Sequence, residues 1–85
     1  MWIAGVRVSV PAARLLTQIL DDAGYAATGR TIANAIAIQS SEPVLTVEDC
    51  EAMLAALGPT CPSGLARLRR ELLEQQRLRW KIQGG

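Results

Sequence analysis

The sequence contains no histidine, which removes the commonest general base and the commonest metal ligand of proteins. Its two cysteines are too few for a zinc site within one chain. No apolar run approaches the roughly 18 residues of a membrane span, and no basic leader followed by an apolar segment indicates a secretory signal. These absences predict a cytoplasmic protein with no membrane segment, no metal and no cofactor.

The charge is nearly balanced, with a net value of +1, and 49% of the residues are hydrophobic. This composition is typical of a folded globular protein, and it excludes both a disordered tail and a strongly basic nucleic-acid coat. The 85 residues predict a single domain, 1–85, whose stability is marginal unless subunits associate.

The first ten residues alternate between apolar and other side chains. Trp2, Ala4, Val6, Val8 and Val10 are predicted to share one face of a short strand. Because no second strand of similar quality follows, the segment is predicted either to pair with another subunit or to lie extended along helices.

The first predicted helix has the clearest amphipathic pattern. It begins at Pro11, with Ser9 close enough to cap it, and it ends at Gly24. The stripe predicted to face the core contains Ala12, Leu15, Leu16, Ile19, Leu20 and Ala23.

The second predicted helix is rich in alanine and apolar on nearly all sides. Residues 26–30 are predicted to form a loop, after which Thr28 or Thr31 caps a helix that continues to about Gln39. Such a surface predicts a helix that neighbours cover on several sides.

The third predicted helix has agreeing start signals. Thr46 is its expected N-cap, and Asp49 occupies the reciprocal position of a capping box. Gly58 and Pro59 end the helix. Its predicted buried stripe contains Val47, Cys50, Met53, Leu54 and Leu57.

The last predicted helix is the longest, from about Ser63 to Ile82, or roughly 30 Å. From Gln75 onward it is expected to project beyond the core. Its buried seam contains Leu65, Leu68 and Leu72. The whole chain therefore predicts an all-α, compact four-helix domain of two helical hairpins with a short N-terminal extended or strand segment.

No group of side chains predicts catalysis. The acidic residues lie at helix caps or on polar faces rather than converging in a pocket. Cys50 and Cys61 are predicted to be small buried residues, and a reactive thiolate at Cys61 is the alternative. We therefore expect no catalytic, cofactor-binding or metal-binding residue and predict that the protein is not an enzyme.

Charge is distributed unevenly along the chain. The last helix carries six basic side chains against two acidic ones, whereas residues 21–51 hold six acidic side chains and one arginine. Glu71 and Glu74 interrupt the basic face, whereas phosphate binding favours uninterrupted positive charge. A solvated face, or a face that meets the acidic part of a neighbouring subunit, is therefore preferred over a nucleic-acid interface.

The end of the last helix is the predicted partner-binding surface, because a monomer would normally not expose its apolar side chains. The expected partner is a second copy of the chain, giving a dimer or larger assembly, with a host protein as a further candidate. The chain is thus interpreted as a non-enzymatic protein-interaction module. The residues of this surface are Arg77, Leu78, Trp80, Lys81 and Ile82.

The run Val6-Arg7-Val8-Ser9-Val10-Pro11, an amphipathic helix, and Arg30-Thr31 opening another helix resemble the start of ribbon-helix-helix DNA-binding proteins. In that family the strand pairs across a dimer and its alternate side chains enter the major groove. The resemblance covers residues 6–38 and implies base contacts by Arg7 and Ser9 and a phosphate contact at Thr31. A dimeric DNA-binding protein is therefore the alternative function.

A second resemblance covers nearly the whole chain. The runs Pro11-Ala12-Ala13-Arg14-Leu15-Leu16, Leu45-Thr46-Val47-Glu48-Asp49-Cys50 and Cys61-Pro62-Ser63-Gly64-Leu65 are similar to those of small helical proteins of actinobacteria and their phages. No activity is assigned to that group. The resemblance implies the fold and the source, and it implies no site.

The predicted helix faces can be tested by truncating leucines. Leu16→Ala and Leu68→Ala are each expected to lower the free energy of unfolding by roughly 2–5 kcal/mol, the usual cost of truncating a buried leucine. Gln18→Ala, on the polar face, is expected to change it by less than about 0.5 kcal/mol. Chemical denaturation measures all three, and equal losses would show that the faces are assigned wrongly.

Overall fold

A computed structural model describes residues 1–39 and 42–84, with side chains as far as Leu78. The mainly helical four-helix domain with a short N-terminal strand segment is confirmed. Its elements are β1 (Trp2–Ile3), β2 (Val6–Arg7), α1 (Val10–Asp22), α2 (Ala26–Ala37), α3 (Val47–Ala56) and α4 (Ser63–Gly84).

The N-terminal segment folds back on itself as an antiparallel hairpin. Ile3 lies opposite Val6, and only Ala4 and Gly5 separate them. Both turn residues have a positive φ, 53° for Ala4 and 82° for Gly5, as a type I′ turn requires. This turn matches the natural twist of two paired strands, so even these short strands can pair.

The prediction of one continuous strand is therefore wrong, and so is the prediction that Trp2, Val6, Val8 and Val10 share one face. Since the turn places Ile3 and Val6 on the same face, the inward positions are odd-numbered before the turn and even-numbered after it. Ile3, Val6 and Val8 are buried, whereas Trp2 and Val10 are exposed. The strand pairs within its own chain.

Both ends of the first helix form as predicted. The Ser9 hydroxyl accepts the N–H of Ala12 at 3.3 Å, which caps α1. Gly24 has a φ of 89°, and the N–H of Tyr25 donates to the Leu20 carbonyl at 2.8 Å, as in a Schellman motif. Within the predicted stripe, Leu16 and Leu20 are buried, Ala12 and Ile19 are half-buried, and Leu15 and Ala23 are exposed.

The predicted loop over residues 26–30 is wrong, because α2 already begins at Ala26. Gly29 lies inside the helix, where an added Cβ would approach the carbonyl oxygen of Thr17 to 3.2 Å. The glycine thus permits close contact between two helices instead of forming a loop.

The remaining predictions for α2 also need correction. Thr28 and Thr31 lie within the helix, and Tyr25 at its start makes no side-chain capping bond. Ala33 and Ala37 are exposed, so neighbours cover α2 along one face only. The buried residues of α2 are Thr28, Gly29, Ile32 and Ala35.

The capping box of α3 is confirmed. The Thr46 hydroxyl accepts the N–H of Asp49 at 3.2 Å, and the Asp49 carboxylate accepts the N–H of Thr46 at 3.0 Å. The helix ends at Ala56, just before Gly58. Within its predicted stripe, Met53 and Leu57 are buried, Cys50 and Leu54 are half-buried, and Val47 is exposed.

The fourth helix packs against the rest of the chain further along than the sequence predicts. The Gln75 side-chain amide donates to the Ala4 carbonyl at 3.0 Å, so α4 supports the turn of the hairpin. Gln75 and Gln76 are half-buried, and the side chains that follow, Arg77 and Leu78, are exposed. The predicted seam of Leu65, Leu68 and Leu72 is buried.

The core forms where the two predicted helical hairpins meet. α1 packs most extensively against α2, α4 packs against α3, and the β-hairpin lies against α4. The largest fully buried side chains are Ile3, Leu16, Leu20, Ile32, Met53, Leu57, Leu65 and Leu68.

The turn of the hairpin can be tested with a matched pair of glycines. A Cβ added at Gly5 or at Gly58 would meet no atom within 4 Å, but only Gly5 has a positive φ. Gly5→Ala is therefore expected to cost about 1–2 kcal/mol of unfolding free energy through backbone strain. Gly58→Ala is expected to be neutral or to stabilise the chain by up to about 1 kcal/mol. Equal effects in urea denaturation would contradict the left-handed turn.

Candidate functional site

An open groove of about 630 Å³ lies at the end of the domain where the hairpin meets α1 and α2. Trp2 and Arg7 are cross-strand partners, so their side chains share the outer face of the hairpin. Val10 and Arg14, one turn apart on α1, continue this surface, and Ile36 of α2 closes it. We call these five residues the Trp2 surface.

The Trp2 surface is both apolar and positively charged. Trp2 is 46% exposed and Val10 is 43% exposed. None of the described residues that line the groove carries a carboxylate. In the described part of the chain, the guanidinium groups of Arg7 and Arg14 have neither an ion pair nor a hydrogen bond. The surface therefore presents two arginines to a partner beside a large aromatic ring.

A second open cleft, of about 570 Å³, lies between the first turn of α2 and the outer face of α3. Its lining includes the small side chains of Ala27 and Ala55 together with Tyr25, Glu48 and Glu51, all of them exposed. We call these five residues the acidic cleft. No lysine or arginine is among the described residues that line it, and Glu48, Glu51 and the capping residue Asp49 give it a negative charge.

A hydrogen bond between α2 and α3 lies beside the acidic cleft. The Thr28 hydroxyl donates to the Asp49 carboxylate at 2.7 Å, although 21 positions separate the two residues. The hydrogen bond from the Thr46 backbone N–H, followed by the one from Thr28, holds the pKa of Asp49 below its ordinary value, despite burial, which raises it. Asp49 thus both caps α3 and attaches it to α2.

The predicted partner-binding residues are only partly described. Arg77 and Leu78 are exposed on α4, Leu78 at 54% of its surface. The side chains of Trp80, Lys81 and Ile82 lie outside the described residues. The described structure thus places two of the five residues on an accessible face.

The predicted DNA contacts do not form one surface of free polar groups. Arg7 is exposed, but the Ser9 hydroxyl caps α1, and the Thr31 hydroxyl donates to the Ala27 carbonyl at 3.1 Å. Two of the three side chains are thus engaged within helices.

The structure reveals functional candidates that the sequence analysis missed. Trp2 was predicted to share one strand face with Val6 and Val8, and Arg14 was not assigned to any site. The Ala4-Gly5 pair, read as a two-residue turn, was the signal that could have placed Trp2 outside. Cys50 and Cys61 are both half-buried, and no group of three or more potential metal ligands converges in the described part of the chain.

The bond between Thr28 and Asp49 predicts a pH dependence of stability. Because the pKa of Asp49 is lower in the folded chain than in the unfolded chain, its contribution is complete above the unfolded pKa. That contribution is lost as the pH falls through the folded pKa. Asp49→Asn should therefore be less stable than the wild type at pH 6, and the difference should shrink below about pH 4.

Denaturation curves from pH 2 to 6 measure this effect. Thr28→Val removes one of the hydrogen bonds that lower the pKa, so it should reduce the same acid-side loss without abolishing it. A stability difference between Asp49→Asn and wild type that stays constant over this range would contradict the assignment.

Comparisons with known proteins were made for the whole chain. No family model matches it, and no curated protein or solved structure matches it either. None of the helices, as far as the structure describes them, is long and apolar enough to cross a membrane. The two resemblances drawn from the sequence stay predictions, and the described surfaces alone support the functional proposal.

Proposed function

We propose that this chain is a non-enzymatic protein-interaction module that associates with itself. The observation that carries the proposal is the Trp2 surface, where exposed apolar side chains lie next to two arginines without partners in the described structure. Tryptophan and arginine are the side chains that most often dominate binding at protein interfaces. An 85-residue domain also gains stability by covering such a surface.

Duplex DNA is the alternative partner, and one observation favours it. Arg7 and Arg14 lie together on an exposed surface without a carboxylate, as phosphate binding requires. The hydroxyl groups of Ser9 and Thr31, however, already form hydrogen bonds with the backbone of α1 and α2. The hairpin also pairs β2 within its own chain, whereas the ribbon-helix-helix family pairs this strand across a dimer.

Light scattering tests self-association. At micromolar concentration we expect a mass above the 9.1 kDa of one chain, and this mass should rise with concentration. A mass equal to one chain at all accessible concentrations would contradict the proposal.

Fluorescence anisotropy with labelled duplexes tests the alternative in parallel. We expect weak binding without sequence preference at physiological salt. Tight, sequence-specific and salt-sensitive binding that loses about 1–3 kcal/mol in Arg7→Ala would replace the proposed function by DNA binding.

A further inference from the structure

We infer that the Trp2 surface of one copy docks onto the acidic cleft of a second copy, so that the chains associate head to tail. This inference rests on the proposed function and deepens it by naming the two surfaces that meet.

The charges of the two surfaces are complementary. Arg7 and Arg14 face solvent in a groove whose described lining contains no carboxylate. Glu48 and Glu51 face solvent in a cleft whose lining, as far as the structure describes it, contains no lysine or arginine. Among the described residues none of the four has an ion pair, so docking could form up to four new charge interactions and break none.

The apolar parts of the two surfaces also fit. Trp2 offers a large half-exposed side chain, which needs an apolar surface with room for an indole ring. The lining of the acidic cleft includes the small side chains of Ala27 and Ala55 and the ring of Tyr25, which is 38% exposed. An aromatic ring flanked by arginines thus meets small apolar side chains flanked by glutamates.

One chain cannot place its own Trp2 surface in its own acidic cleft. The groove lies at the start of α1 and the cleft lies beyond its end, because Gly24 and Tyr25 follow directly after the helix. The 13 residues of α1 span about 18 Å from first to last. The contact must therefore join different copies, and an interface between two different surfaces produces open chains or rings of subunits.

The second copy is a better occupant of the groove than an unrelated anion. The complementary cleft lies on this same chain, so both halves of the interface are present wherever the protein is concentrated. Because the net charge is only +1, the overall repulsion between two copies is small.

Sedimentation velocity of the full chain, with paired variants, tests the inference. The basic-surface variant is Arg7→Glu/Arg14→Glu, and the cleft variant is Glu48→Gln/Glu51→Gln, which adds no positive charge that could pair with the new glutamates. All four side chains are exposed, so the variants are expected to fold, and circular dichroism of each variant checks this. The pair Arg7→Gln/Arg14→Gln replaces the first variant if charge reversal prevents folding.

Each variant alone is expected to associate at least about tenfold more weakly than the wild type, because one of its two surfaces is lost. A 1:1 mixture should form heterodimers and nothing larger, since the intact cleft of one variant binds the intact Trp2 surface of the other. Wild-type association should weaken as salt is raised from 50 to 500 mM.

Two controls leave both surfaces intact. Arg67→Glu/Arg70→Glu reverses the same number of exposed charges on α4, and truncation after Gln76 removes the end of α4 while keeping the contact of Gln75 with the hairpin. Both are expected to associate as the wild type does.

Several results would overturn the inference. If the wild type associates and both surface variants associate equally, or if the mixture stays monomeric, the proposed function stands but the two surfaces are wrong. Loss of association only on truncation would assign the interface to the end of α4. A monomeric wild type would refute self-association itself. If that monomer binds a glutamate-rich peptide or single-stranded DNA through Arg7 and Arg14, the groove has a different occupant.

Discussion

The close contact of α1 and α2 at Gly29 sets the position of nearly every other element. A Cβ at this position would lie 3.2 Å from the Thr17 carbonyl oxygen and 3.5 Å from the Leu20 Cβ, so a larger side chain would push the helices apart. This close contact fixes the position of α2 relative to α1. Thr28, the neighbour of Gly29, donates a hydrogen bond to Asp49 and so holds the start of α3 beside the start of α2. The acidic cleft exists because that hydrogen bond fixes its two walls.

The same pair of helices separates the charges of the molecule. The groove with Arg7 and Arg14 lies at one end of α1, and the cleft with Glu48 and Glu51 lies beyond the other end. Within a single domain this separation leaves opposite charges unneutralised, which by itself contributes nothing to folding. In the proposed association two copies bring these ends together, where partly desolvated charge pairs interact more strongly than pairs in water. The proposed association therefore accounts for a charge pattern that the stability of one chain does not explain.

Features encoded by neighbouring residues could be predicted from the sequence, and features that depend on distant residues could not. The capping box of Thr46 and Asp49 could be predicted from the sequence because both residues lie within one helical turn. Gly29 looked like a loop glycine, since only its contact with α1, in another part of the sequence, shows why a helix contains it. The position of Gly5 in a two-residue turn decides which face each earlier residue occupies, and missing it placed Trp2 on the same face as Val6 and Val8 instead of in the candidate site. The helices were therefore largely predictable, whereas the site was not.

The hairpin determines whether the Trp2 surface is rigid before a partner arrives. Strands of two residues are marginal on their own, so the hairpin depends on what holds it from outside. Its inner face is buried in the core, and Gln75 of α4 donates to the carbonyl of Ala4 at the turn. Because the inner face and the turn of the hairpin are both fixed, Trp2 and Arg7 are held on its outer face. A surface ordered in advance loses less conformational entropy on binding, so a few side chains are sufficient to hold a partner. The hydrogen bond from Gln75 therefore connects α4 to the hairpin that carries Trp2 and Arg7. Through this bond α4 helps to order the proposed binding surface, although it contributes no residue to it.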